Sequence, residues 1–376
     1  MNGKERFVKT LNGEAADKTP VFPLLMSFSA KRYGINYREF ASNPHALAEA
    51  QLKAAEMFPI DAITACSDAF RISADLGGEI VFPDGQPPYL VKPLVHSEAD
   101  LAGLKKPDVL KPGGRMADRV AAVGEMSRAA GSELMTLGWV DMPFAEACSM
   151  CGVQPFMYML YDEPALAHRI LSFLTDIVEG FAIAQLQAGA PMIGAGDAAA
   201  SLISPDLYRE FALPYEIRVT EAVHKANGLV KLHICGNTSA LLQDMVKTGC
   251  DLFNVDHLVD FQIAAETYSK AGKAYKGNID PVRLLTESPD GCAKMAKECL
   301  AKAEGHAYML SAGCEIPANV PDESFLSFCR AVDDIIGPYK RSSSQSGKNF
   351  SGLSGLGKSA RIWNISRRRR ARRTNR

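Results

Sequence analysis

Ser204-Pro205 opens a long amphipathic segment that stops at Asn227-Gly228, and Leu229-Val230-Lys231-Leu232-His233-Ile234-Cys235-Gly236 follows at once. Serine before a first-turn proline starts a helix, and Asn-Gly ends one. A short apolar run closed by glycine then reads as a buried strand. The same unit recurs in both directions along the chain. Downstream, the runs Leu252–Val255, Lys273–Lys276 and Ala307–Leu310 each follow a helical pattern. Upstream lie Val21–Leu25, Asp61–Ala65, Glu133–Leu137 and Met192–Ala195, with helices predicted from Asn43-Pro44 to Phe58 and from Pro164 to Gln187. Eight strands with helices between them predict a single (β/α)8 TIM barrel over residues 1–339. The Pro- and Gly-rich stretch from Gly77 to Pro112 is expected to insert a hairpin and loops after the second strand. An open doubly wound sheet is the alternative, but no glycine-rich phosphate fingerprint follows any strand, which disfavours a nucleotide fold.

The composition agrees with an ordinary globular protein: 376 residues, 47% hydrophobic and 23% charged, neither disordered nor fibrous. No uninterrupted apolar stretch approaches the ~18–20 residues of a membrane helix. Met1 to Leu11 carries Lys4, Glu5, Arg6 and Lys9 without a secretory core, so a cytoplasmic protein without a membrane partner is expected. In that reducing compartment the nine cysteines are not a disulfide framework. Charge is split unevenly. From Lys340 onward there are 12 Lys or Arg and no acid, while residues 1–339 hold 30 basic and 43 acidic residues. The acidic body has no general attraction to nucleic acid. The tail over 340–376, with Ser342 to Ser346 and Arg367 to Arg370, reads as a disordered basic extension without function, a basic arm for an acidic partner being the other reading.

In a TIM barrel the chemistry sits on the loops after the strands. Those loops carry Ser67-Asp68, Trp139-Val140-Asp141, Gly196-Asp197, His233-Ile234-Cys235-Gly236, Asp256-His257, Gly277-Asn278-Ile279-Asp280 and Ser311-Ala312-Gly313-Cys314. Residues i and i+2 of a strand share a side, so the His233 imidazole and the Cys235 thiol emerge together, and Gly236 lets the chain turn. Imidazole with soft thiolate is a zinc preference. Cys314 holds the matching exit position of the eighth strand. Three ligands with one position open describe catalytic rather than structural zinc. Asp256 is placed either to ligate or to hold a ligand by hydrogen bond, while His257 reads as structural. Cys292, Cys299 and Cys329 fall on helices at core spacing, Cys250 precedes a strand and Cys66 ends one. Cys148 and Cys151 make a solitary C-x-x-C.

Several further segments carry a resemblance. They are Phe58-Pro59-Ile60-Asp61-Ala62 with Ser67-Asp68, Gln187-Ala188-Gly189-Ala190, Ser204-Pro205, Pro214-Tyr215, Gly277-Asn278-Ile279-Asp280-Pro281 and Pro321-Asp322-Glu323. In this order they resemble the uroporphyrinogen decarboxylase superfamily of (β/α)8 barrels over residues 4–339. Two branches compete. The zinc methyltransferases, which move a methyl group from a methylated corrinoid protein to a thiol such as coenzyme M, match at His233, Cys235 and Cys314. The porphyrinogen decarboxylases carry F-A-K-G and G-H-G at those two places and M-R-Q-A-G-R-Y near the start. Here Met26-Ser27-Phe28-Ser29-Ala30-Lys31-Arg32-Tyr33 puts Ser27 where the first arginine would stand, and Ser149 falls near the decarboxylase tyrosine. The resemblance therefore implies zinc held by His233, Cys235 and Cys314, a corrinoid carrier protein as partner, and a small thiol acceptor. It places Asp68, Asp197, Asp256 and Asn278 at the mouth to orient substrate, and Arg32 against an anionic tail. Related methyltransferases commonly have glutamate near Asp256, so the shorter Asp departs from their pattern. Porphyrinogen decarboxylation and a non-catalytic metal-binding barrel are the alternatives.

Overall fold

Parallel pairing dominates the computed structural model, which describes residues 1–83 and 88–334. The strands are β1 (Ala62–Thr64), β2 (Ile80–Val81), β3 (Tyr89–Leu90), β4 (Met135–Asp141), β5 (Met192–Gly196), β6 (Leu229–His233), β7 (Leu252–Val255), β8 (Ala274–Ile279) and β9 (Tyr308–Ala312). Seven form one sheet in the order β1-β4-β5-β6-β7-β8-β9, every pair parallel. The other two make the antiparallel hairpin expected after the second predicted strand. Burial on both faces explains why the strands of the seven-stranded sheet are mostly apolar.

Val21–Leu25 differs from its prediction as a full strand. It makes isolated bridges, Val21 with Leu310 and Leu24 with Glu315. Pro23 lies at its centre, and a residue with no N–H interrupts a ladder. The segment still reaches both edges of the sheet. The Phe22 N–H donates to Leu310 O (2.9 Å) on one side and the Asp61 N–H to Val21 O (2.8 Å) on the other. Asp61 fixes this seam, accepting from the Val21 N–H (2.7 Å) and pairing with Arg6.

Two further predictions are corrected. Trp139, Val140 and Asp141 belong to β4 rather than to the loop after it. The segment from Ser204 to Asn227 is two helices, Pro205–Phe211 and Leu213–Lys225, because Pro214 cannot supply the next helical N–H. Helix Pro164–Gln187 matches its prediction. It has the length and apolar composition of a membrane span, but over half of that window is buried against the rest of the chain. Gln185 on this helix holds β4 in place, accepting from the Trp139 N–H (2.8 Å) and donating to Trp139 O (3.0 Å). The basic tail and the boundary at residue 339 lie outside the described residues.

Candidate metal centre

Register places the site. Asp141 pairs with Gly196 and Gly196 with His233, so the exits of β4, β5 and β6 lie at one level. His233 ends β6, and the chain runs through Ile234 and Cys235 to Gly236, whose φ of +90° supplies the turn. Cys314 follows β9, where the Gly313 N–H donates to Ile279 O (2.8 Å) and the Ile316 N–H to Leu24 O (3.0 Å). These anchors bring Cys314 to within 3.5 Å of Cys235 Sγ and 3.5 Å of His233 Nε2, and Cys235 Sγ is 3.0 Å from the same nitrogen. Eighty-one residues separate the most distant pair in sequence.

The donor set fits zinc. With bonds of ~2.3 Å to sulfur and ~2.0–2.1 Å to nitrogen, tetrahedral ligand edges are about 3.5–3.8 Å, close to the spacings here. Among the described residues this is the one His, Cys, Asp or Glu cluster compact enough to hold an ion, and it has three members. The thiols are half-buried and the imidazole is buried. Burial holds the His233 pKa down, which keeps the ring neutral as a ligand requires. Cys314 is the more acidic sulfur: its hydrogen bond to Cys235 pulls its pKa down, and His233 adds to this. The same bond, with burial, pushes Cys235 up.

The remaining predicted site residues do not join the three donors. Asp256 is buried beside the site, but its Oδ1 accepts from the Leu258 N–H (2.9 Å) and lies 3.1 Å from His257 Nδ1. The short side chain is spent on its own turn. His257 is exposed. Asn278 donates to Val259 O (2.7 Å) and Asp256 O (3.4 Å), tying together the exits of β7 and β8. Arg32 donates to the carbonyls of Ala318 and Val320 and to Asp322 Oδ1 (2.9 Å), and its guanidinium stacks over Phe28 at 3.6 Å. Its hydrogen-bonding edge is consumed in fastening helix Ser27–Tyr33 to the loop after β9.

Asp68 is an ion-pair hub rather than an open carboxylate. Arg115 grips it with two nitrogens at 2.9 Å each, Arg71 approaches at 3.4 Å, and Ser67 Oγ donates at 2.7 Å. Burial acts to raise its pKa, and the Arg71 and Arg115 charges outweigh that and hold it below the usual carboxylate range. Cys148 and Cys151 are both buried in helix Pro143–Cys151 as free thiols.

Asp197 is fully buried beside the Glu216 carboxyl, to which Tyr208 donates. Burial raises both acids, Glu216 to about 7. A carboxyl raised in the fold stabilises below its unfolded pKa, and that contribution is lost as pH climbs through the folded one. Glu216→Gln should therefore leave stability at pH 4 nearly unchanged. At pH 8 it should add about 2–3 kcal/mol, read from urea unfolding at the two pH values.

Sequence reasoning gave no role at the site to four side chains that surround it. Glu315 adjoins Cys314 and accepts from the Ser27 N–H (2.8 Å) and Oγ–H (2.5 Å). Trp139 and Cys66 pack with Leu24 and Met26 at the mouth, Cys66 Sγ lying 3.2 Å from Met26 Sδ. Lys231 lies two residues before His233 on the same side of β6, its side chain buried against the Trp139 ring. A lysine inside an otherwise apolar strand, two residues before a site histidine, was the signal available for it.

A parallel α/β sheet with a His-Cys-Cys cluster at the carboxyl ends of its strands defines an enzyme-type site. The uroporphyrinogen decarboxylase (URO-D) family model matches residues 2–335, and the chain belongs to that family. It is 28% identical over 358 residues to a uroporphyrinogen decarboxylase of Hydrogenovibrio crunogenus, covering 90% of this chain and 98% of that one. The enzyme of the same name from Nitrosomonas europaea is 27% identical, covering 87% and 96%. Among solved structures, a methyltransferase from Methanosarcina mazei superposes with a TM-score of 0.80 at 25% identity, covering 89% of this chain and 98% of that one. A B12-independent methionine synthase from Shewanella sp. W3-18-1 shares the fold at a TM-score of 0.55 and 12% identity, covering 84% and 95%.

Proposed function

We propose that this chain is a zinc-dependent methyltransferase that moves a methyl group from a methylated corrinoid protein to a small thiol, coenzyme M being the type of acceptor the family resemblance favours. The observation that carries the reading is the convergence of His233 Nε2, Cys235 Sγ and Cys314 Sγ within 3.0–3.5 Å of one another, with no fourth protein donor among the described residues. The methyltransferase neighbour supports it. Zinc held there would bind the incoming thiol and favour its thiolate at neutral pH, where a free thiol with a pKa of ~8.5 is mostly protonated.

The chain's own residues supply the rest. His233, Cys235 and Cys314 present the acceptor sulfur at the mouth, and the hydrogen bonds of Asp256 and Asn278 hold the β7 and β8 exits around it. The thiol would give up its proton to solvent on binding, and its sulfur would then take the methyl group in line. The electron pair of the broken carbon–cobalt bond stays with the corrinoid. The donor reaches the strand-end face on a separate carrier protein, since the lumen is filled with side chains. We read the sheet together with Val21–Leu25 as a closed eight-stranded barrel over residues 1–339. A reducing cytoplasm, where Cys235 and Cys314 stay thiols, is its compartment.

A second reading, porphyrinogen decarboxylation, is favoured by the names of the relatives at 27–28% identity. It gives the three-donor cluster no task, and Asp68 is locked among arginines. The deciding assay incubates the purified chain with methylcobalamin and several thiols, and separately with uroporphyrinogen, with and without chelator. Methyl transfer that falls at least about 100-fold on metal removal is the expected result. Transfer indifferent to chelation, or porphyrinogen turnover alone, would refute the reading.

A further inference from the structure

Lys231 is fully buried, and its Nζ has no hydrogen-bond acceptor among the described residues. It lies 4.7 Å from the centroid of the Trp139 ring. That ring lies across Gly194, where a Cβ would come within 2.5 Å of it. The charged or chargeable groups that interact with the ammonium are the thiols of Cys66, Cys314 and Cys235 together with Lys276 and His233, with no carboxylate among them. Lys276, the other fully buried lysine, is differently placed: its Nζ donates to Phe22 O at 2.6 Å and sits over the Phe22 ring at 3.9 Å.

A buried cation without an acceptor costs stability, and a methionine of similar length would pack the same space without that cost. The fold therefore gives no reason for a lysine here, whereas the charge balance of the site does. Zinc and the two thiolates of Cys235 and Cys314 sum to zero, so any thiolate added to them leaves a net negative charge in a desolvated mouth. Lys231 stands two residues before His233 on the same side of β6.

We propose that Lys231 is a positioning residue whose positive charge favours an anionic sulfur acceptor, a thiolate, at the His233–Cys235–Cys314 centre over a neutral ligand. This rests on the zinc reading above and adds the class of ligand that the centre selects. At an effective dielectric constant of about 20, a unit charge even about 10 Å from another is worth roughly tenfold in affinity.

The test uses the full chain loaded with Co2+ as a spectroscopic probe and titrated with 2-mercaptoethanol, following sulfur-to-cobalt charge-transfer absorption. Lys231→Met should take up one cobalt with the same absorption as the parent, and its apoprotein should melt at the same temperature or higher. Its affinity for the added thiol should fall about tenfold or more. Lys231→Gln, neutral but polar, should behave alike. Unchanged thiol affinity in a variant that binds cobalt normally would overturn this proposal and leave the zinc reading standing. Unfolding of both variants would assign Lys231 a structural role and overturn it as well. A parent chain that takes up no cobalt and no zinc would sink the two together.

Discussion

Cys314→Ser should strip the protein of stoichiometric zinc and, with it, methyl transfer. Side chains that merely orient a metal ligand are worth about 10- to 100-fold in affinity, so removing a ligand is expected to exceed 100-fold. Serine keeps the shape of the side chain but replaces a soft, readily ionised sulfur by an alcohol that does not ionise at neutral pH. Cys314 is also the most acidic sulfur of the cluster, through its hydrogen bonds with Cys235 and His233. The measurement is metal content after dialysis against a graded chelator, paired with transfer from methylcobalamin to a thiol. Cys148→Ser and Cys151→Ser, altering thiols of helix Pro143–Cys151, should leave zinc content unchanged. Full zinc occupancy in Cys314→Ser would show that the convergence of the three donors is a packing accident.

Asp68→Ala should be the most destabilising single substitution at the mouth, by about 3–5 kcal/mol. The reason is what it leaves behind. Arg71 is fully buried, and Arg115 is mostly so, with both of its terminal nitrogens on the Asp68 carboxylate. Arg119 adds a third buried guanidinium, donating to Ser67 Oγ at 2.5 Å and to Ala41 O at 3.0 Å. Without the carboxylate, Arg115 loses the anion that both of its terminal nitrogens grip, and Arg71 keeps Asp141 at 3.6 Å and Arg119 keeps Asp118 nearby as weaker compensation. Because the folded pKa of Asp68 lies below its ordinary value of 3.8, its contribution is complete above about pH 4 and is lost as pH falls below that. Urea unfolding at pH 7 and pH 3 checks both statements: a large deficit for Asp68→Ala at pH 7 that shrinks toward pH 3. A deficit below about 1 kcal/mol at pH 7 would mean that water, not Asp68, balances the arginines.

The two substitutions draw a line through the predicted residues. His233, Cys235 and Cys314 were chosen by strand spacing and by the matching exit position of a distant strand, and the fold brings them together. Asp68 and Asp197 were chosen because they sit near strand ends and Arg32 through the resemblance, and each faces other groups instead: arginines, a second buried acid, and backbone carbonyls. Spacing along one strand is a reliable guide to which side chains share a face. Nothing in a sequence tells whether a carboxylate at a strand end finds a cation from another element first. Arg115 is 47 residues from Asp68, and Glu216 is 19 from Asp197. The same blindness hid Lys231, whose oddity becomes plain only once its neighbours prove to be three sulfurs and an indole.

What the amino-acid order determined by itself was the alternation of helices and buried strands and the pairing of His233 with Cys235. Both follow from local rules: capping, period-two side-chain direction, and the apolar runs that a doubly covered sheet demands. Tertiary structure alone decided that Cys314 closes on that pair, that Val21–Leu25 spans the seam with single bridges around Pro23, and that the acids at the rim are neutralised or protonated. Those outcomes depend on which distant groups share a desolvated space, and the energy of a charge or a thiol there is set by its nearest neighbours in three dimensions.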